Sequence, residues 1–208
     1  MPEAPLTQSN KKAHTEPPAR RIENTIELQI ALARSGFSPG SIDGSLGGQT
    51  REALLAYQSA YQLPMTGEFD LESQKVLKIR EPIFSKVELS EVDFARIDPR
   101  PSSWKERGTR SRMAYNSILE MVAEKSRSDP DLIVKLNPSI DWNILDRGLK
   151  ILVPNVYDDL SGGLTDHLRI SLSKRSLQAI ESNGRICFHS PVSIARRVDK
   201  RPLSLIHI

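Results

Sequence analysis

The chain is poor in the residues that staple or fill one large core. A lone cysteine, Cys187, excludes an intrachain disulfide and leaves the redox compartment unconstrained. Aromatic residues make up 5% of the 208 positions while prolines number 14, a combination that favours several small modules, strung like beads, over a single large core. No apolar run approaches the roughly eighteen residues that cross a bilayer. The opening residues, MPEAPLTQSNKKAHTEPPARR, lack the apolar centre of a secretory leader, so no signal peptide is expected in the given chain. Neither sign of charge dominates. There are 29 basic and 26 acidic residues, with a net charge of +3 and dispersed positive positions, which gives no clear polyanion-binding stripe. His14, His167 and His207 have no carboxylate or cysteine partner at ligand spacing, so no metal and no cofactor is expected.

Punctuation divides the rest. Residues 1–22 are polar and proline-bearing and read as a disordered tail, whose Lys11-Lys12 and Arg20-Arg21 pairs are solvated charge. Residues 81–103 read as a linker, because Glu81-Pro82 and Asp98-Pro99-Arg100-Pro101 force extended backbone. Ser161-Gly162-Gly163 is a further linker signal without the lysine and hydroxyl of a phosphate loop.

Between these breaks, residues 23–80 carry the densest pattern. Leu28 and Leu32 share one face of a first helix, which Ser35-Gly36 ends before Phe37 folds back. Ile42-Asp43-Gly44 is a tight turn, since aspartate bonds the backbone ahead and glycine tolerates positive φ. A second helix is predicted at about 48–61, with Ala53, Leu54, Tyr57 and Ala60 at helical spacing. Leu63-Pro64-Met65-Thr66-Gly67 turns the chain again, and Asp70 caps a short third helix that ends near Lys78. Over its whole length, IELQIALARSGFSPGSIDGSLGGQTREALLAYQSAYQLPMTGEFDLESQKVL resembles the peptidoglycan-binding-like domain of bacterial cell-wall enzymes. The resemblance implies a three-helix bundle and peptidoglycan as partner, with Asp43, Gly44, Gln58, Thr66 and Gly67 as binding candidates that also have turn duties. The Gln58 amide either ties its helix to the Asp43 loop or faces a glycan or stem peptide.

Residues 104–156 form the next module. Ile118, Leu119, Val122 and Ala123 make a helical stripe, Asp129-Pro130 starts a second helix with Leu132, Ile133 and Leu136, and Leu149 to Pro154 closes as a strand after the Arg147-Gly148 turn. Through DPDLIVKLNPSI and GLKILVP this segment is similar to a LysM module, a βααβ fold. At its front Arg112 to Ser117 stand where that family has a strand and a GDT-like turn. The resemblance implies glycan contact by Asn137, Pro138 and Ile140, which otherwise serve as a helix stop. Trp142 either stacks on a sugar or covers the small core.

Residues 165–208 change character. Leu168 to Leu172 alternates, Ser176 to Glu181 gives another strand, and Asn183-Gly184 turns into Ile186-Cys187-Phe188. The run LRISLSKRSLQAIESNGRICFHSPVSIARRVDKRP resembles the first strands of the L,D-transpeptidase (YkuD-type) catalytic domain, a cysteine acyltransferase that attacks a stem peptide. The family's S-H-G-C-like motif is absent. Cys187 and His189, two apart on one strand face, read as strand packing rather than a nucleophile and its base. The strand set is expected to be incomplete and poorly packed.

The sequence therefore predicts a modular α+β protein: the peptidoglycan-binding portion of a cell-wall L,D-transpeptidase, located in the cell envelope or periplasm, with no catalytic residue and no activity of its own. The alternative is a stand-alone peptidoglycan-binding or scaffolding protein. Nucleic-acid binding is a remote third reading, disfavoured by Glu52, Glu68, Asp70 and Glu72 on the second and third helices and the turn before the third.

Overall fold

The structure, a computed structural model, describes residues 18–99, 103–109, 114–156 and 165–194. Lys11-Lys12, His14, Arg112, Ser161-Gly162-Gly163 and His207 lie outside these residues.

Helix α1 (Thr25–Arg34) begins where the Asn24 side chain accepts the Glu27 amide and ends in a run from Ser35 to Phe37. Helix α2 (Gly48–Ala60) starts from Gly47 without a side-chain cap. Helix α3 (Leu71–Val76) is capped as the sequence predicts: an Asp70 carboxylate oxygen accepts the Ser73 amide at 2.8 Å. Leu28, Leu32, Phe37, Ile42, Leu54 and Tyr57 close one core among the three helices and the loop after α1. The Phe37 ring meets Tyr57 edge-on, with centroids 5.4 Å apart, and Tyr57 in turn stacks on Tyr61.

The stretch expected as a linker holds structure. Strand β1 (Phe84–Glu88) lies within it, followed by α4 (Glu91–Phe94), and α5 (Trp104–Thr109) comes next. Helices α6 (Ile118–Lys125) and α7 (Pro130–Leu136) begin at the Ser117 and Asp129 caps, and β2 (Lys150–Pro154) then returns antiparallel to β1, from Phe84 opposite Pro154 to Glu88 opposite Lys150. Flanking prolines hid β1, because a five-residue strand with Lys86 and Glu88 exposed carries a weak apolar signal. A second core of Leu89, Met121, Val122, Ile133, Ile151 and Val153 fills the space between this ribbon and the two helices.

Strands β3 (His167–Ser171), β4 (Ser176–Ile180) and β5 (Ile186–Pro191) form an antiparallel meander in that order. Its polar face turns inward. Ser176 and His189, with Ile180 and Ile186, are buried on the side that packs against α2, and Lys174 pairs with Glu52 of α2 at 3.2 Å. The opposite face leaves Leu168, Ile170 and Leu172 at least half exposed. The expectation of a poorly packed strand set fails at β5, whose outer edge is taken: the His189 amide donates to Gly36 O at 2.9 Å and the Ser38 amide donates to His189 O at 2.8 Å.

Nor are the segments separate beads. The Ile42 amide donates to Arg127 O, and the Asp129 amide donates back to Ile42 O at 2.9 Å. Leu132 of α7 and Ile186 of β5 complete the core of the first three helices. The half-buried Arg34 guanidinium spans two of the segments. Its nitrogens donate to Asn155 O at 2.7 Å and to Arg80 O and Pro82 O at 2.6 Å each, while Asn155 Nδ2 also donates to Pro82 O. A planar fork meets these three carbonyls in a way that an ammonium group does not. Replacing Arg34 with alanine is expected to lower unfolding stability by about 2 kcal/mol in urea titrations, with Arg34→Lys recovering only part of the loss.

Candidate functional site

Two glutamines organise the candidate binding residues. Gln29 lies in the middle of α1, 1% exposed, and its amide is spent on the loop before α2. Nε2 donates to Asp43 Oδ1 at 2.9 Å, to Ser45 O and to Thr50 Oγ1, while Oε1 accepts the amides of Asp43 and Gly44 at 3.2 and 2.8 Å. Gln58 of α2 repeats the device on the turn before α3. Its Nε2 has Thr66 Oγ1, Glu68 O and Ser73 Oγ within 3.0 Å, and its Oε1 accepts the Gly67 amide at 2.8 Å. Both side chains thereby fill the donor and acceptor capacity that burial would otherwise leave unmet.

Each sequence-predicted residue of this region has a structural partner. Asp43 also accepts the Ser45 amide at 2.8 Å, and the Thr66 hydroxyl donates to Asp70 Oδ2 at 2.7 Å. The Asp70 carboxyl is held below its usual range, chiefly by the Ser73 amide and next by the Thr66 hydroxyl. Gly44 and Gly67 take φ of 80° and 69°. At Gly67 a Cβ would lie 2.9 Å from Arg51 Cγ, so a side chain there would displace Arg51 as well as strain the positive φ. Gln58 reaches the Thr66-Gly67 turn, and it is Gln29 that holds the Asp43 loop. The sequence contained the signal for Gln29: an amide inside an apolar helical stripe, as in Leu28-Gln29 and Tyr57-Gln58, followed by a glycine turn.

Asn137 is likewise internal. It is 7% exposed, and its side chain pairs with both backbone groups of Leu152, tying the end of α7 to the outer edge of β2 at 2.8 Å. Pro138 is exposed. Ile140 and Trp142 pack on the second core, where Trp142 Nε1 is buried without an acceptor among the described residues.

Cys187 and His189 do not form a pair. A register shift between Ala179 and Ile180 leaves Cys187 as the extra residue of a bulge, since Phe188 sits opposite Ala179 and Ile186 opposite Ile180. The strand alternation that would place both on one face is therefore broken. Cys187 Sγ lies 3.4 Å from Ala179 O, whereas the His189 ring faces Gln178 at 3.4 Å. Burial pushes the His189 imidazole below its ordinary value near 6.5.

Two clefts adjoin the three-helix unit. The larger, about 430 Å³, opens where three segments meet: Ala33 and Ser38 at the end of α1 and beyond, Ala123 and Arg127 at the end of α6, and Phe188 and Ser190 of β5. The other, about 330 Å³, separates Glu52 and Ala56 of α2 from Arg169 and Lys174. Among the described residues no helix is long and apolar enough to cross a membrane.

Residues 21–77 match the peptidoglycan binding domain family. No curated protein matches the chain. The α1 to α3 unit is thus similar to a peptidoglycan-binding domain, which favours a wall-associated role and peptidoglycan as partner.

Gln58→Ala is expected to lower stability by about 2–4 kcal/mol, because it strands the Gly67 amide and neighbouring groups, and a thermal melt followed by circular dichroism reads the loss. The His189 shift sets a pH effect of definite sign. Below about pH 6.5 the unfolded chain takes up a proton that the folded chain refuses, so stability is full above that pH and falls toward the depressed folded value. The slope reaches at most about 1.4 kcal/mol per pH unit. Urea midpoints of the wild type should fall through this window, and the His189→Gln variant should remove that component.

Proposed function

We propose that the chain is the peptidoglycan-binding portion of a cell-envelope protein of the L,D-transpeptidase class, held to murein by the α1 to α3 domain. The observation that carries this reading is the family match over residues 21–77, on a unit whose glycine turns are closed by its own glutamines. The order β1, α6, α7, β2, with β1 antiparallel to β2, supports a LysM-like second module carrying α4 and α5 as an insertion. The β3 to β5 meander supports the resemblance to a transpeptidase β-domain. Its Leu168, Ile170 and Leu172 line the side turned away from α2, as one layer of a two-layer domain would. No chemistry is assigned to Cys187, whose sulfur rests against Ala179 O with no base beside it among the described residues.

A specific contact favours a second reading, that of a stand-alone binding or scaffolding protein. The meander is docked to the peptidoglycan-binding domain through α2 and the Gly36 to Ser38 edge, so binding domain and sheet share a packed interface. In either reading the chain acts by binding. Purified protein should cosediment with insoluble peptidoglycan sacculi and be released when the glycan strands are digested. Protein that stays in the supernatant at micromolar concentrations would contradict both readings.

A further inference from the structure

We infer that the cleft where the three segments meet binds a saccharide portion of the wall polymer, an inference that rests on the proposed peptidoglycan-binding role. Among the residues expected to bind from sequence, Gln58 and Asn137 are buried and their side-chain amides are spent on internal hydrogen bonds, which directs attention to a neighbouring surface. This cleft, about 430 Å³, falls within the range of roughly 300–1,000 Å³ typical of ligand sites. Its chemistry suits an uncharged polyhydroxylated ligand. Glu124 and Arg127 contribute opposite charges that leave the wall without net sign, and Ser38 and Ser41 supply hydroxyls that both donate and accept, while those of Ser128 and Ser190 donate internally. Ser41 Oγ has no partner among the described residues, and Ser38 Oγ accepts the Gly40 amide at 3.3 Å, which leaves its hydroxyl proton to donate. Phe188 adds an aromatic surface for the C–H face of a sugar ring. The site is composite. It exists only while the backbone bridges at Ile42 and His189 hold α6 and β5 against α1.

The test uses the full chain and a tetramer of N-acetylglucosamine in isothermal titration, beside cosedimentation with sacculi. Ser41→Trp fills the cleft from an exposed position, and Glu124→Gln removes a rim charge with little change of shape. The inference expects the wild type to bind the tetramer, Ser41→Trp to weaken binding at least tenfold, and Glu124→Gln to weaken it several-fold, with urea midpoints unchanged. If Ser41→Trp shifts the midpoint, Glu124→Gln alone decides. Wild-type affinity in the deciding variant would overturn the site, and competition by stem tetrapeptide but not by the saccharide would overturn the ligand class. If the wild type sediments with sacculi and Ser41→Trp sediments equally well, only the cleft assignment fails. If the wild type does not sediment, the wall-binding reading fails with it.

Discussion

Two buried side-chain amides hold the architecture of the peptidoglycan-binding domain. A run of about fifty residues has too little apolar surface to enforce its turns by burial alone. Gln29 and Gln58 add a directional constraint, since Gln29 from the middle of α1 and Gln58 from the last turn of α2 each grip the following glycine turn and fix where the next helix starts. Removing the Gln58 amide leaves the buried Gly67 N–H without its acceptor, which is more damaging than the loss of one ordinary hydrogen bond. The turn residues serve the same geometry. Gly67 admits the approach of Arg51, and Asp70 draws on both Thr66 and the α3 amide end.

That fixed domain is the platform on which the other segments assemble. Short helices such as α3, α6 and α7 gain little from intrinsic propensity and depend on tertiary contact. The contacts are specific: paired backbone bonds at Ile42 with Arg127 and Asp129, paired bonds at His189 with Gly36 and Ser38, and the Arg34 fork on three carbonyls. The two sets of backbone bonds run through the loop that Phe37 and Ile42 anchor in the core. The core of the three-helix unit and the assembly of the chain therefore share one element.

Local signals in the sequence were enough to place much of this. Asp70 and Asp129 cap helices because short oxygen-bearing side chains meet unpaired amides, a relation contained within a few residues. Asn183-Gly184 marks the hairpin for the same local reason, with Gly184 at φ 85°. The unread parts are long-range. β1 needs β2, some sixty residues on, to show as a strand, and the burial of its few apolar groups gives no local pattern. The roles of Gln29 and Asn137 depend on partners about fifteen residues distant. The bulge that separates Cys187 from His189 is a property of pairing with β4, and no alternation rule applied to β5 alone contains it. For the candidate binding residues the sequence left turn duty and ligand contact open together, because the same polar groups suit a turn and a sugar equally well.

The central claim is that the two glutamine amides lock the turns of this domain in the native state. Native-state hydrogen exchange at the Gly44 and Gly67 amides tests it most directly, because both donate to glutamine side chains and neither belongs to a helix or strand. The account predicts protection at these two amides approaching that of the core of α1, with exchange governed by unfolding of the whole domain. Exchange at the rate of an open loop, while α1 and α2 remain protected, would contradict it.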